Sequence, residues 1–172
     1  MIRRTRAGDL SVLQDIEVAA GAQFRDLDMD LVADDDPPSA DELSSYVDLG
    51  QAWVSTDAND RPVGYLLLLV VDGAAHIEQV SVHPDHARRR IGRSLVEHAA
   101  RWATQHDFSV LTLTTFTDVP WNGPYYRRLG FEEIPNADLG PDLRRIRRHE
   151  AEHGLDRWPR VAMRRQLRNE SG

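Results

Sequence analysis

Two periods of hydrophobic and polar residues alternate along this chain. Ile91, Leu95, Ala99, Trp102 and Ala103 recur every three to four positions and predict an amphipathic helix from Ile91 to about Gln105. Just before it, Val80 and Val82 alternate with Gln79, Ser81 and His83, the pattern of a half-buried strand. His83-Pro84 ends that strand, because proline offers the ladder no N–H. Residues 78–96 therefore read as strand, tight turn and helix start, and the rest of the chain is organised around them.

The other elements follow from the same patterning. Met1 to Arg6 can form a first strand, and Asp9 is placed to cap a helix carrying Leu13, Ile16, Ala20 and Phe24 on one face. Six aspartates lie between Asp26 and Asp36, then Ser39-Ala40-Asp41-Glu42 forms a capping box for a second helix ending at Gly50. Ala52 to Thr56 and Val63 to Val71 read as strands, and Asp72-Gly73 as a hairpin turn into Ala75 to Val82. Val110 to Thr115 is β-branched and strand-like, Trp121 to Leu129 is a short helix stopped by Gly130, and Phe131 to Ile134 and Arg160 to Leu167 are the last strands. A charged insert, Pro141 to Trp158, and a polar tail complete the chain.

The turn at the centre of this pattern has a chemical consequence. The first helical turn, around Arg90 to Ser94, presents backbone N–H groups that lack helical partners, and the helix macrodipole adds about half a positive charge. Arg88, Arg89, Arg90 and Arg93 add full charges, and Gly92 allows close backbone approach. A pyrophosphate suits such a site.

Composition narrows the chemistry. The 172 residues suffice for one domain with its own core, and 41% hydrophobic with 28% charged content is ordinary for a soluble globular chain. There is no cysteine and no lysine, which excludes disulfides, thiolate metal sites, Schiff-base lysines and a P-loop lysine. The longest apolar run, near Tyr65 to Val71, is too short to span a membrane, and Met1 to Leu10 has no apolar region after it. The expected setting is the cytoplasm. A net charge of -7 and the lack of aromatics among Arg144 to Arg148 argue against nucleic acid, and the arginines of residues 143–168 are expected to pair with the acidic first half.

Two stretches carry a family resemblance. Val82-His83-Pro84 followed by Ala87-Arg88-Arg89-Arg90-Ile91-Gly92 resembles the V-x-P strand end and Q/R-x-x-G-x-G/A turn of the GNAT superfamily of acetyl-CoA-dependent N-acetyltransferases. Ala87 and Arg90 depart from that motif, while Gly92 keeps its second glycine. Tyr126-Arg127-Arg128-Leu129-Gly130-Phe131 resembles the family's Y-x-x-x-G-F. The order of elements is similar too, over nearly the whole chain apart from the insert.

The resemblance implies an α/β (α+β) GNAT-like fold: a central mixed, mostly antiparallel sheet of about six to seven strands flanked by helices. It implies acetyl-CoA as co-substrate, with Arg88, Arg89, Arg90, Ile91, Gly92, Arg93 and Ser94 around the pyrophosphate and Val80 and Val82 offering backbone groups to the pantetheine. Tyr126 would be the general acid that protonates the departing thiolate, since a phenol is protonated at neutral pH. The family's asparagine, seven residues before that tyrosine, falls on Val119; Asn122, four before it, is counted with the cofactor-binding residues. Glu78 would be the base, with His76 on the same strand face and His83 at the strand end as alternatives. Direct attack by the amine follows, without an acyl-enzyme.

Other readings come from other classes. One is a non-catalytic CoA-binding module on the same fold. Another is a zinc hydrolase, since His149-Glu150-Ala151-Glu152-His153 satisfies H-E-x-x-H; but the segment is polar all round, as a solvated helix is, and no metal site is expected. The amine acceptor is unspecified, although the aspartates at 26, 28, 30, 34, 35 and 36 would favour a cationic one. A homodimer is compatible with this chain.

Overall fold

The computed structural model describes residues 1–168, and the polar tail beyond Arg168 lies outside the described residues. In chain order the strands are β1 (Ile2–Arg4), β2 (Ala52–Thr56), β3 (Pro62–Val71), β4 (Ala74–Val82), β5 (Val110–Phe116), β6 (Glu132–Glu133) and β7 (Arg160–Gln166). The helices are α1 (Leu10–Gly21), α2 (Asp30–Ala33), α3 (Ala40–Asp48), α4 (Ile91–Gln105), α5 (Gly123–Arg128) and α6 (Pro141–Glu152). The strands form one seven-stranded sheet in the order β1-β2-β3-β4-β5-β7-β6. β4 and β5 are parallel, whereas β1/β2, β2/β3, β5/β7 and β6/β7 are antiparallel, so the sheet is the mixed, mostly antiparallel one the sequence predicts.

Two compact units divide the chain: Met1–Leu68 with Gln79–His98, and Leu69–Glu78 with the residues from Ala99 onward. In the first, Leu13, Ile16, Leu43, Ala52, Val54, Tyr65 and Leu67 make a core against which Leu10, Val12, Tyr46 and Val47 pack. Ser39 Oγ accepts from the Glu42 N–H at 3.1 Å, the cap predicted for α3. Asp9 does not cap α1 with its side chain. Its carboxylate accepts from the Arg3 guanidinium and from the Arg6 N–H, each at 2.8 Å, and a 3-10 turn over Ala7–Asp9 leads into the helix instead. The acidic stretch is structured: a 3-10 turn over Ala22–Leu27 and then α2 are pinned by the buried Met29 and Ala33, with all six aspartates exposed.

In the second unit, Val71, Ile134, Leu143 and Ala162 form a core with Leu69, Leu139 and Ile146 against it. Asp72 and Gly73 both have positive φ, 51° and 74°, as the hairpin signal requires. The insert contains α6, whose first turn is held by that hairpin: the Asp72 carboxylate accepts from the N–H groups of Asp142 at 2.8 Å and Leu143 at 3.0 Å. β6 is shorter than predicted, with Phe131 and Ile134 buried on either side of it and the Ile134 N–H donating to the Ala162 carbonyl of β7 at 2.8 Å.

Candidate functional site

In the first unit, β4 ends where the His83 N–H donates to the Val63 carbonyl at 2.9 Å. A 3-10 turn over Pro84–His86 follows, and Ala87 is extended. Arg88 and Arg90 then take positive φ, 64° and 59°, at a cost of about 1–2 kcal/mol each for an L-residue. The glycine-like demand at Arg90 was legible in the sequence; the one at Arg88 was not. These two residues turn the chain so that the Arg90 carbonyl accepts from the Ser94 N–H at 3.0 Å and starts α4. Ser94 is therefore already bonded, contrary to its inclusion among the free donors. Helix geometry leaves the N–H groups of Ile91, Gly92 and Arg93 without intrahelical acceptors, and Arg88, Arg89, Arg90 and Arg93 around them are exposed. This concentration of N–H donors, dipole and guanidinium charge fits a diphosphate.

The strand leading there departs from its predicted alternation: Ser81 is buried at 7% exposure, while Val80 and Val82 are half-buried. The reason is a carboxylate on α1. Glu17 Oε2 accepts from Ser81 Oγ and from the fully buried Tyr65 Oη, each at 2.6 Å, and Gln79 Nε2 donates to both Glu17 oxygens at 3.2 and 3.3 Å. Burial, and then Glu17, push the Tyr65 phenol well above the ordinary tyrosine range. Sequence reasoning missed this cluster because its members lie on three elements far apart in the chain. At the strand end, His83 Nδ1 accepts from the Asp85 N–H at 3.1 Å, so that nitrogen is already engaged.

In the second unit, β4 carries His76 and Glu78. His76 is 1% exposed, and its Nδ1 lies 2.7 Å from Thr112 Oγ1. Burial holds its pKa down at about 4, against weaker opposing effects of Glu150 and Asp72. The ring is neutral at physiological pH, so its 3.8 Å approach to the Glu78 carboxylate is not an ion pair. Glu78 keeps 42% of its side-chain surface exposed, yet crowding by protein, reinforced by the Glu150 charge and opposed by Arg160, raises its carboxyl to about 7. A carboxyl poised there exchanges a proton readily near neutrality.

Glu150 is a correction to the solvated-helix expectation for residues 149–153. Its carboxylate is turned inward, 13% exposed, and accepts from Thr114 Oγ1 at 2.7 Å, Arg147 Nη1 at 2.8 Å and Arg160 Nη2 at 2.9 Å. His149 and His153 are exposed, with His153 Nδ1 2.8 Å from the His149 carbonyl; the motif's glutamate faces the sheet while its histidines face solvent. Among the described residues, no cluster of three metal-ligating side chains forms. Two arginines of this stretch pair locally, Arg147 with Glu150 and Asp156 and Arg145 with Asp142.

Tyr126 lies on α5, 8% exposed, with Tyr125 and Phe131 edge-on at centroid distances of 5.4 and 5.8 Å. Burial, and then Tyr125, raise its phenol well above the ordinary range, so it is a proton donor at any physiological pH. Asn122 provides backbone: its N–H donates to Val119 at 2.8 Å and its carbonyl accepts from the Tyr126 N–H at 2.9 Å, closing the turn that begins α5. Gly123 follows because nothing larger fits; a Cβ there would meet the Thr117 carbonyl oxygen at 2.4 Å.

Comparison with known proteins gives a consistent result. Residues 14–131 match the model of the acetyltransferase (GNAT) family. A peptidyl-lysine N-acetyltransferase of Escherichia coli (strain K12) is 28% identical over 99 residues, a match spanning 58% of this chain and 61% of that protein's length. Among solved structures, a GNAT-family acetyltransferase of Staphylococcus aureus Mu50 superposes with a TM-score of 0.74 at 16% identity, covering 98% of this chain and 99% of that one. The PaiA N-acetyltransferase of Thermoplasma acidophilum, solved with coenzyme A, gives 0.71 at 13% identity over 96% and 98% of the two chains. At these identities the structural likeness speaks for the fold.

Proposed function

Because the chain belongs to the acetyltransferase (GNAT) family, we propose that it transfers an acetyl group from acetyl-CoA to a primary amine of a small molecule or peptide by direct attack. The observation that carries this is the start of α4, where two arginines at positive φ lead into a helix whose first three N–H groups lack intrahelical acceptors, beside four exposed arginines. Arg88 to Arg93 hold the diphosphate of acetyl-CoA, and Val80 and Val82 lie along its pantetheine arm.

In the reaction, Glu78 accepts a proton from the ammonium form of the acceptor, and the freed amine attacks the thioester carbonyl. The C–N bond forms as the C–S bond breaks, the Tyr126 hydroxyl gives its proton to the leaving thiolate, and the second proton shed by the attacking nitrogen restores the phenol. A carboxyl near pH 7 suits the first duty, and a phenol that stays protonated has a proton to give in the second. His76 is too buried and too weakly basic to act in place of Glu78. Six exposed aspartates near α2 favour a cationic acceptor by raising the local concentration of cations. Among the described residues no helix is long and apolar enough to cross a membrane, and the cytoplasm is the setting we assign.

The test of the catalytic assignment is Tyr126→Phe. With acetyl-CoA and an active amine, kcat should fall about 100-fold or more while the Kd for acetyl-CoA stays unchanged. An unaltered kcat would remove Tyr126 from the chemistry.

A further inference from the structure

We propose that the ion pair of Glu150 on α6 and Arg160 on β7 is a positioning device for Glu78, poising that carboxyl to take and release a proton; the proposal rests on the assignment of Glu78 as base. The placement follows from strand register. His76 pairs with Thr112 across the parallel β4/β5 ladder, and paired residues of parallel strands share a face. Glu78 stays on that face, its carboxylate 3.8 Å from His76 Nε2, and Thr114, two residues beyond Thr112 on β5, points to the same side. Thr114 Oγ1 donates to Glu150 Oε2 at 2.7 Å, which holds the Glu150 carboxylate over the sheet face that carries Glu78.

Arg160 completes the device. Its Nη2 donates to the same Glu150 oxygen at 2.9 Å, and its guanidinium lies 4.3 Å over the Phe116 ring. Its Nε is buried without a hydrogen-bond partner, so Phe116, Thr114 and Glu150 set its place. The two side chains are 9% and 13% exposed, and charges this dry act on a neighbour with little screening. The groups acting on Glu78 are then the neutral His76 at 3.8 Å, the Glu150 anion and the Arg160 cation, with Arg147 on the other Glu150 oxygen. Glu150 and Arg160 act on the Glu78 carboxyl in opposite directions, with Glu150 the stronger. α6 and β7 both lie outside residues 14–131, so this control is added by the chain beyond its family-matched portion.

The experiment is a carbon-13 NMR titration of glutamate carboxyls, with Glu78 assigned by the resonance that Glu78→Gln removes. Glu150→Gln should lower the Glu78 midpoint and Arg160→Gln should raise it, each by about one pH unit. If Glu150→Gln does not fold, Glu150→Asp replaces it and should also lower the midpoint, because the shorter side chain draws the charge back from Glu78. Shifts of opposite sign are beyond a general loosening of structure. No shift, or the same direction in Glu150→Gln and Arg160→Gln, overturns the proposal. The pH profile of kcat/KM reports separately on the base: if the midpoints move as stated but the acidic limb survives Glu78→Gln, the positioning stands and the assignment of Glu78 as base fails.

Discussion

Tyr65 Oη donates to Glu17 Oε2 at 2.6 Å, joining the centre of β3 to α1 through a phenol with no exposed surface. A hydrogen bond to an ionised acceptor contributes more than a neutral one, about 1.5–3 kcal/mol. Tyr65→Phe should therefore cost about 2 kcal/mol, or roughly 4–8 °C in Tm for a domain of this size. Ser81→Ala, which removes a second donor from the same oxygen, should couple to it non-additively in a double-mutant cycle. A loss below about 0.5 kcal/mol for Tyr65→Phe would mean that water replaces the phenol at no cost.

Gly123 and Gly73 are glycines for different reasons. A Cβ at Gly123 would press on the Thr117 and Phe116 carbonyl oxygens at 2.4 and 3.0 Å, both backbone atoms that cannot rotate aside. At Gly73 nothing lies within 4 Å, and only its φ of +74° resists a side chain. Gly123→Ala should cost about 3 kcal/mol and displace Tyr126 with α5, whereas Gly73→Ala should cost about 1 kcal/mol. Urea denaturation measures both, and the reverse ranking would contradict the account.

Glu78 and His76 oppose one another across one pH window. The folded pKa of Glu78, about 7, lies above its ordinary 4.5, so its contribution is complete below pH 4.5 and is lost as pH rises through 7. The folded pKa of His76, about 4, lies below 6.5, so its contribution is complete above pH 6.5 and is lost as pH falls through 4. Between these ordinary values the native state carries a proton on Glu78 and the unfolded state one on His76, and the two slopes oppose one another. Glu78→Gln should uncover the histidine, steepening the rise in stability between pH 4.5 and 7 by about 1 kcal/mol in total once screening of this partly exposed carboxyl is allowed for. At pH 8 the variant should be more stable than the wild type by about 1 kcal/mol, a modest figure because solvent screens this partly exposed carboxyl. Identical pH dependence of Tm in the two proteins would refute the pairing.

At the start of α4, Gly92→Asp should set a carboxylate against the diphosphate and weaken acetyl-CoA binding at least tenfold. Arg90→Gly should keep the turn, since glycine adopts the φ of 59° without strain, and lose only the charge of one guanidinium. Calorimetric Kd values for the two folded variants check this; equal affinity for wild type and Gly92→Asp would place the diphosphate elsewhere.

Elements whose cause is local were legible in the sequence. Asp72-Gly73 has one easy turn type, Ser39 needs only the Glu42 N–H three residues on, and the period from Ile91 onward is unbroken. What escaped was tertiary. Ser81 looks like a solvent position until Glu17 arrives from α1, and Asp9 looks like a cap until Arg3 and Arg6 take its oxygens. Glu150 sits in a stretch so charged that it reads as solvated, because Arg160 and Thr114, which permit its burial, lie on β7 and β5. Tyr126 and the α4 turn carry motif signatures; the carboxylate network beside Glu78 has none, because its members come from β4, β5, α6 and β7.

The central claim is tested most directly by free-thiol release from acetyl-CoA with a panel of primary amines, including polyamines, lysine-containing peptides and neutral amines. The account predicts amine-dependent thiol release matched one to one by acetylated amine, with cationic acceptors preferred and with the preference falling as salt rises. Acetyl-CoA binding without amine-dependent release across the panel would contradict it and leave a protein that binds the thioester without turning it over.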